Sequence, residues 1–260
     1  MEKLNNVQFG EMSKWLLNKT KLMTNDKEVG VYCPCCNNQF VEFCNYLFID
    51  YEHSPDFFKN SRLDVICPIC ESAPRHRIIC TILEDEPENK KFCYSNVLLI
   101  APNIGIRIWF NRNKIKYLTG DLHDRNADIR IDIQKTNLES NSFSFVSCDH
   151  VLEHVINWKM ALKELHRIIQ PGGYIEITVP LLDIYDTTFE DSSIVTAIDK
   201  KNLYGQYDHL RIFGRDFKER LKDAGFFVEV HDGNIFDSRI MPITAPATYD
   251  SNKIYICQKL

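Results

Sequence analysis

The sequence has no long apolar run, no secretion signal and no excess of positive charge. None of its 260 residues falls in an apolar stretch of the roughly 18 residues that a transmembrane helix needs. The opening residues, MEKLNNVQFGEMSKW, lack the charged and then apolar segments of a signal peptide. A formal net charge of −5 disfavours an extended nucleic-acid interface, since neutralising phosphates requires a basic face. We therefore expect a cytoplasmic protein that contacts neither membrane nor nucleic acid.

Cysteine, by contrast, is plentiful. Ten cysteines in a chain of this size without a secretion signal indicate a reducing compartment, with some thiols as metal ligands and others in the core. Four of them occur in two matched turns, CPCC at 33–36 and CPIC at 67–70. Two Cys-x-x-Cys turns can bring four thiolates onto one tetrahedral Zn²⁺. The expected ligands are Cys33, Cys36, Cys67 and Cys70.

This cysteine site leaves alternatives open. Cys35 could replace Cys36 as a ligand, although the matched spacing favours Cys36, and the thiols could instead be free or joined in disulfides. If zinc binds, four thiolates leave no open coordination position, so the ion is structural. The aromatic-rich segment at 37–66 is expected to supply the strands of a zinc ribbon. Five further cysteines with apolar neighbours are expected to be buried: Cys44, Cys80, Cys93, Cys148 and Cys257.

Residues 143–180 carry the pattern of one β-α-β crossover. Apolar residues 145–148 suit a buried strand, and residues 160–169 place apolar side chains three and four positions apart, as on one helical face. Pro171-Gly172-Gly173 ends the helix, and a second apolar strand begins at Ile175. Parallel strands require such a helical crossover, which is almost always right-handed. The pattern therefore predicts an α/β fold.

In its order and details this segment resembles the fourth and fifth strands of class I S-adenosylmethionine-dependent methyltransferases. The resemblance rests on DHVLEH at 149–154 and LHRIIQPGGY at 165–174, and it extends over residues 95–260. It implies a Rossmann-like, seven-stranded methyltransferase sheet, an antiparallel last strand at 253–258 and S-adenosylmethionine as the cofactor.

The cysteine turns followed by RHR at 75–77 also resemble a subgroup of bacterial methyltransferase-like proteins with an N-terminal zinc module. The predicted organisation is a helical segment at 1–30, a small zinc-ribbon-like module with a connecting helix at 31–90, and a class I methyltransferase domain at 91–260.

The resemblance places the cofactor against the loop that follows the first strand. That loop is normally glycine-rich, but here only Gly105 matches, because Ala101 and Asn103 stand where glycines are typical and Pro102 offers no N–H. Asp121, after the second strand, is expected to accept hydrogen bonds from both ribose hydroxyls, with a solvated turn Asp as the alternative. The implied cofactor-binding residues are Ala101, Pro102, Asn103, Gly105, Asp121, Leu122, Asp132, Ile133 and Asp149.

The ends of the third and fourth strands carry further candidates. The resemblance puts Asp132 against the adenine amino group and Ile133 on the ring. Asp149 and His150 lie where the fourth strand ends, which is where open α/β sheets bind their ligands.

Four residues are candidates for acid–base chemistry. Glu153 and His154 could serve as acid and base, or they could cap the helix and satisfy each other. His209 could deprotonate an acceptor hydroxyl or amine, or it could bridge loop and core. The candidate catalytic residues are His209, His150, Glu153 and His154.

Three arginines are candidates for substrate binding. Arg75 and Arg77 fall in the first turn of a predicted helix, where the dipole favours anions, so either could hold an anionic group of the substrate. The alternative is that they pair with acids or face solvent. Arg211 belongs to HLRIF at 209–213, which resembles a segment of small-molecule methyltransferases. The long connection at 181–214 is expected to cover the acceptor.

Together these features predict an S-adenosylmethionine-dependent methyltransferase that acts on a small-molecule or glycan-type acceptor and contains a structural zinc ion. The protein must then mainly align the acceptor with the methyl group. One alternative is a zinc-ribbon RNA methyltransferase, in which the ribbon and the arginines at 75 and 77 hold the RNA. The other is a non-catalytic binding protein of the same fold, which the altered loop at 101–105 suggests.

Overall fold

A computed structural model describes residues 30–44, 65–84, 92–233, 239–240 and 253–260. The strands are β1 (Val31–Cys33), β2 (Asn38–Phe40), β3 (Val97–Ile100), β4 (Leu118–Asp121), β5 (Ile129–Arg130), β6 (Phe143–Asp149), β7 (Ile169–Thr178), β8 (Phe226–Asp232) and β9 (Lys253–Lys259). The helices are α1 (Pro74–Glu84), α2 (Ile104–Arg112), α3 (Trp158–Ile168), α4 (Ala197–Tyr204) and α5 (Phe217–Asp223). The predicted helical segment at 1–30 lies outside the described residues, apart from residue 30.

Seven strands form one mixed sheet in the order β5-β4-β3-β6-β7-β9-β8. The strands from β3 to β7 pair in parallel, and β9 is antiparallel to both β7 and β8. Every residue of β3 and β6 is buried, as expected of central strands that helices cover on both faces. The predicted Rossmann-like, seven-stranded sheet with an antiparallel last strand is confirmed.

The glycine pair at 172–173 is part of β7 rather than a separate turn. β7 begins at Ile169, so the prediction that this strand begins at Ile175 was wrong. A Cβ on Gly173 would lie 3.0 Å from the carbonyl oxygen of Ser144, and the β6–β7 register shifts nearby. Glycine here allows two backbones to approach closely, which a sequence pattern cannot distinguish from a turn.

The N-terminal module packs on one face of the sheet. β1 and β2 form an antiparallel hairpin, and α1 joins it to the domain. One apolar cluster contains Cys33 and Phe43 from the module, Ile79 from α1, Phe110 from α2 and Ile256 from β9. A second cluster lies mainly on the other face and includes the apolar side of α3. The module therefore shares a hydrophobic core with the sheet that carries the site.

One further expectation is corrected. Cys93 is exposed, whereas the expected burial of Cys44, Cys80, Cys148 and Cys257 is confirmed. Neighbours in sequence do not decide which side chains of a loop meet the core. The connection at 181–214 contains α4, whose Tyr204 packs into a small apolar cluster, and its expected role in covering the acceptor stays a prediction. Among the described residues, no helix is both long and apolar enough to cross a membrane.

Candidate functional site

A cavity of about 750 Å³ opens beyond the carboxyl ends of the parallel strands. This is where open α/β sheets bind ligands, and the volume suits a molecule of cofactor size. Seven of the predicted site residues line it: Ala101, Asp121, Leu122, Asp132, Ile133, His150 and His154. Four polar residues that the sequence did not single out also line it: His123, Asp124, Gln134 and Asp208.

Asp121 is oriented by the turn that follows β4. Its Oδ1 accepts hydrogen bonds from the backbone N–H groups of His123 (2.6 Å) and Asp124 (2.9 Å). Within the described part of the chain, no hydrogen bond engages Oδ2. One oxygen is thus fixed by the backbone and the other remains available at the cavity wall. The side chain can accept hydrogen bonds from a ligand without first breaking its own.

Asp132 is held by a neighbour that the sequence analysis missed. Its Oδ1 accepts from the backbone N–H of Gln134 at 2.9 Å, and the Gln134 amide donates to both carboxylate oxygens. An Asp side chain that accepts from the backbone N–H two residues later forms an Asx-turn, which is common after a strand. The Asp at 132 could therefore have predicted this turn from the sequence.

The loop at 101–105 contacts the cavity through Ala101, and its other predicted residues do not line it. Ala101 has a left-handed φ of 44°. The Asn103 side chain accepts from the N–H of Gly105 at 2.7 Å and caps α2. A Cβ on Gly105 would lie 3.0 Å from the Cβ of Ser72, which belongs to the N-terminal module. The one glycine of this loop that matches the family pattern therefore lies against the module.

Asp149 joins the N-terminal module to the end of β6 and does not line the cavity. Arg75 donates to Oδ1 at 2.9 Å, His76 lies 2.7 Å from Oδ2, and the Thr178 hydroxyl also donates to this carboxylate. Because the Nδ1 of His76 accepts from the N–H of Ala73, its Nε2 carries the proton that Asp149 accepts. Burial opposes ionisation, but Arg75 and His76 hold the pKa of Asp149 well below its usual value.

The other two predicted substrate-binding arginines are buried. Arg77 donates to the backbone carbonyls of Val65, Ser72 and Ile240, so it supports the N-terminal module. Arg211 is 3% exposed, and most of its donors bind backbone carbonyls at 152–156, in the turn that precedes α3. Neither guanidinium lines the cavity.

The four candidate acid–base residues lie together. His150 Nδ1 is 3.2 Å from the Oε1 of Glu153, and His154 Nε2 is 4.0 Å from the same oxygen. The rings of His154 and His209 meet edge to face, with centroids 4.8 Å apart. Burial, and next the Arg75 charge, hold the pKa of His150 well below its usual value. Burial and His154 lower the pKa of His209 to about 4, so both rings are neutral near pH 7.

The four cysteines of the two turns converge in the N-terminal module. Their sulfur atoms all lie within 4.8 Å of one another, with Cys33 and Cys70 3.5 Å apart and Cys36 and Cys67 3.7 Å apart. Cys35 instead points its sulfur at Cys80, 3.1 Å away. The matched spacing therefore selected the four sulfur atoms that lie together.

A family model described as a methyltransferase domain matches residues 42–230, which is more than half of the chain. The chain belongs to the methyltransferase-domain family. No curated protein matches the chain in sequence.

Several solved structures are similar to this chain. An S-adenosylmethionine-dependent methyltransferase from Archaeoglobus fulgidus matches at 14% identity with a TM-score of 0.48, covering 71% of this chain and 94% of that one. The CurJ carbon methyltransferase matches at 15% identity and 0.47, covering 71% and 53%. Phosphoethanolamine N-methyltransferase 2 of Haemonchus contortus, solved with S-adenosyl-L-methionine, matches at 14% and 0.45, covering 69% and 51%. The chain spans about half the length of the last two.

The residues present fit both groups that the family and the sequence imply. The cavity of about 750 Å³ combines an oriented carboxylate, Asp121, with the apolar side chains of Leu122 and Ile133, as a nucleoside requires. For the cysteines, a tetrahedral ion with Zn–S bonds of about 2.3 Å requires sulfur atoms about 3.8 Å apart. Two separations in the cluster, 3.5 Å between Cys33 and Cys70 and 3.7 Å between Cys36 and Cys67, are close to that value.

Proposed function

We propose that the chain is an S-adenosylmethionine-dependent methyltransferase that acts on a small-molecule or glycan-type acceptor. The observation that carries the proposal is Asp121, held by its own turn at the wall of the cavity with one carboxylate oxygen available. A charged acceptor at this position suits two ribose hydroxyls. Asp132 would accept from the adenine amino group, and Leu122 and Ile133 would pack on the ring.

When bound, the cofactor supplies a methyl group on a sulfonium, which is already a good leaving group. The protein then has to align the acceptor and take up its proton. His150 lines the cavity, and its Nδ1 lies 3.2 Å from the Oε1 of Glu153, so this ring is the candidate group for taking up the proton. Its lowered pKa keeps the ring neutral near pH 7.

The charge of the cavity supports a small, non-phosphate acceptor. Four aspartates line it, Asp121, Asp124, Asp132 and Asp208, and no Lys or Arg of the described residues does so. Such a wall repels phosphate chains and admits neutral or cationic groups such as sugar hydroxyls and amines. The buried arginines at 77 and 211 do not change this balance. These features favour the small-molecule proposal over the RNA alternative.

The four-cysteine cluster supports a structural zinc ion in the same protein. All four cysteines are buried, and four thiolates would leave no position for a substrate. The proposed ion would hold the hairpin β1–β2 against α1. It would take no part in methyl transfer.

Calorimetric titration with S-adenosylmethionine and S-adenosylhomocysteine tests whether the chain binds the cofactor. Asp121→Asn keeps the turn but removes the charge. The lost charge-assisted hydrogen bond, about 1.5–3 kcal/mol, should weaken binding roughly 10- to 100-fold. Asp124→Asn is the matched control in the same turn, expected to change affinity by less than about threefold.

Two other results would argue against the proposal. No binding of either ligand by the unmodified protein would favour the non-catalytic alternative. Tight, strongly salt-dependent binding of structured RNA would favour the RNA methyltransferase. If the cofactor binds, pooled sugars, amines and phenols can be screened for release of S-adenosylhomocysteine.

A further inference from the structure

We propose that Glu153, His154 and His209 form a second metal site, for a divalent first-row transition metal, at the wall of the cavity. One ligand atom of each residue lies within 4.8 Å of the others. Metal bonds of about 2.1 Å place ligand atoms roughly 3.0–3.4 Å apart, so side-chain movements of an ångström or so close the site. Glu153 and His209 are buried, and His154 lines the cavity.

Each proposed ligand has a polar neighbour where metal ligands usually have a supporting hydrogen bond. The Nδ1 of His209 donates to the backbone carbonyl of Tyr204 at 2.9 Å, and the Nδ1 of His154 lies 3.2 Å from an oxygen of Asp208. The Nδ1 of His150 lies 3.2 Å from the carboxylate of Glu153. Metal-binding histidines characteristically donate the other ring nitrogen to a carbonyl or carboxylate, and ligating carboxylates are themselves hydrogen-bonded.

His209 provides an independent sign of a missing ligand. The side chain is 1% exposed, and its Nε2 has no hydrogen-bond partner among the described residues. Because Nδ1 carries the proton, Nε2 presents a lone pair, and burying it without a partner is unfavourable. His209 is one of the three residues whose ligand atoms lie within 4.8 Å of one another. A cation bound at Nε2 would satisfy that nitrogen.

The two backbone segments that carry the ligands are fastened to each other. The N–H of Leu210 donates to the carbonyl of Glu153 at 2.9 Å, and Arg211 donates to the carbonyls of Leu152 and Val155 at 2.7 and 2.6 Å. The turn before α3 and the segment at 208–211 therefore hold their side chains in a fixed relation, as a preorganised site requires. This gives the buried Arg211 a role that does not require contact with substrate.

The ligand set indicates the class of metal. Two imidazoles and one carboxylate suit Zn²⁺, Fe²⁺ or Co²⁺ better than Mg²⁺ or Ca²⁺, which prefer oxygen ligands. Three protein ligands leave a coordination position open, unlike the four-cysteine cluster, and His154 directs that position to the cavity. If the proposed methyl transfer is correct, an acceptor hydroxyl bound there would have a lowered pKa and would deprotonate more readily. That consequence rests on the proposed function, whereas the metal site itself does not.

Equilibrium dialysis of the metal-stripped full chain against Zn²⁺, and then against Co²⁺, tests the site. We expect the unmodified protein to bind two equivalents of metal. In the Co²⁺ form, one ion should show intense thiolate-to-cobalt absorption, and the other should show only the weak bands of nitrogen and oxygen ligands. His154→Ala and His209→Ala should each bind one equivalent and keep the thiolate absorption. His123→Ala, a cavity histidine outside the cluster, should still bind two.

Two results would overturn the proposal. One is a single metal equivalent, with thiolate absorption, in the unmodified protein; the other is two equivalents in His154→Ala, which would place the second ion elsewhere. Should His209→Ala fail to fold, His154→Ala decides, since its side chain is 35% exposed and its loss disturbs the core less. Cofactor titration is measured separately, so two metal equivalents without cofactor binding would refute the proposed function and leave the metal site standing.

Discussion

Glu176 should make the protein less stable as the pH rises from about 6 to about 8. This glutamate is fully buried in β7, and the Ser147 hydroxyl donates to its Oε2 at 2.7 Å. Burial, and next the charge of Asp149, raise the pKa of Glu176 from 4.5 to about 8. Between those two values the folded protein keeps a proton that the unfolded chain releases, so the free energy of unfolding falls as pH rises. The loss approaches about 1.4 kcal/mol per pH unit near pH 6 and becomes shallower near pH 8, so it is about 2 kcal/mol over the two units.

Glu176→Gln tests this reasoning because an amide of the same shape cannot ionise. The unfolding free energy, from urea titrations of the zinc-loaded protein, should fall less steeply with pH in the variant, and the variant should be the more stable protein at about pH 8. Glu229→Gln is the matched control: Glu229 and Glu176 both pair with Ile256 of β9, but the Glu229 side chain is 42% exposed. Parallel pH profiles for the unmodified protein and Glu176→Gln would refute the raised pKa.

Two further variants test how the N-terminal module is held. Cys67→Ser should lose the metal equivalent that shows thiolate absorption, and with free zinc a thousandfold above its dissociation constant the free energy of unfolding should fall by about 4 kcal/mol. Metal analysis and urea unfolding measure both. Arg75→Met leaves the buried Asp149 carboxylate without its guanidinium partner, and it should lower the free energy of unfolding by about 3 kcal/mol near pH 7.

Each of these variants has a control of the same residue type at an exposed position. Cys93→Ser removes an exposed thiol and should keep the zinc and the stability. Arg107→Met removes an exposed arginine on α2 and should change the free energy of unfolding by less than about 0.5 kcal/mol. If Cys67→Ser kept its full metal content, the four-thiolate site would be contradicted. Equal effects of Arg75→Met and Arg107→Met would show that the buried pair contributes no more than a surface charge.

The fold was predictable because its evidence is local and ordered. The β-α-β pattern at 143–180 specifies two buried strands and a crossover helix in their order along the chain. The resemblance to class I methyltransferases supplied the seven-stranded sheet and the acid after the second strand, Asp121, which lies where the ends of parallel strands bind ligands. The two Cys-x-x-Cys turns are equally local. Features of this kind need no knowledge of which distant residues meet.

The remaining features depend on contacts between distant parts of the chain. Asp149 was expected at the cofactor, but its partner Arg75 is 74 residues away, and only the folded chain shows that the pair fastens the module. Ser72 leaves little room for a side chain at Gly105. The guanidinium of Arg211 is bound by backbone carbonyls of the turn before α3. His154 and His209 were each named as a candidate, yet their convergence with Glu153 depends on how the long connection at 181–214 folds. Residue type and charge were enough to name candidate site residues, but which residues they contact depends on the tertiary structure.

The same contacts imply that a structural ion in the module would influence the cavity without touching a substrate. The Ser72 hydroxyl lies 3.1 Å from the sulfur of Cys33, and its Cβ faces Gly105 at the start of α2. From the module, α1 carries Arg75 and His76 to Asp149, whose neighbour in sequence is His150 at the cavity wall. The first chain of contacts ends near Ala101 and the second at His150, and both of these residues line the cavity. Losing the ion should therefore weaken cofactor binding even where the sheet stays folded, because the module holds the strand ends in place.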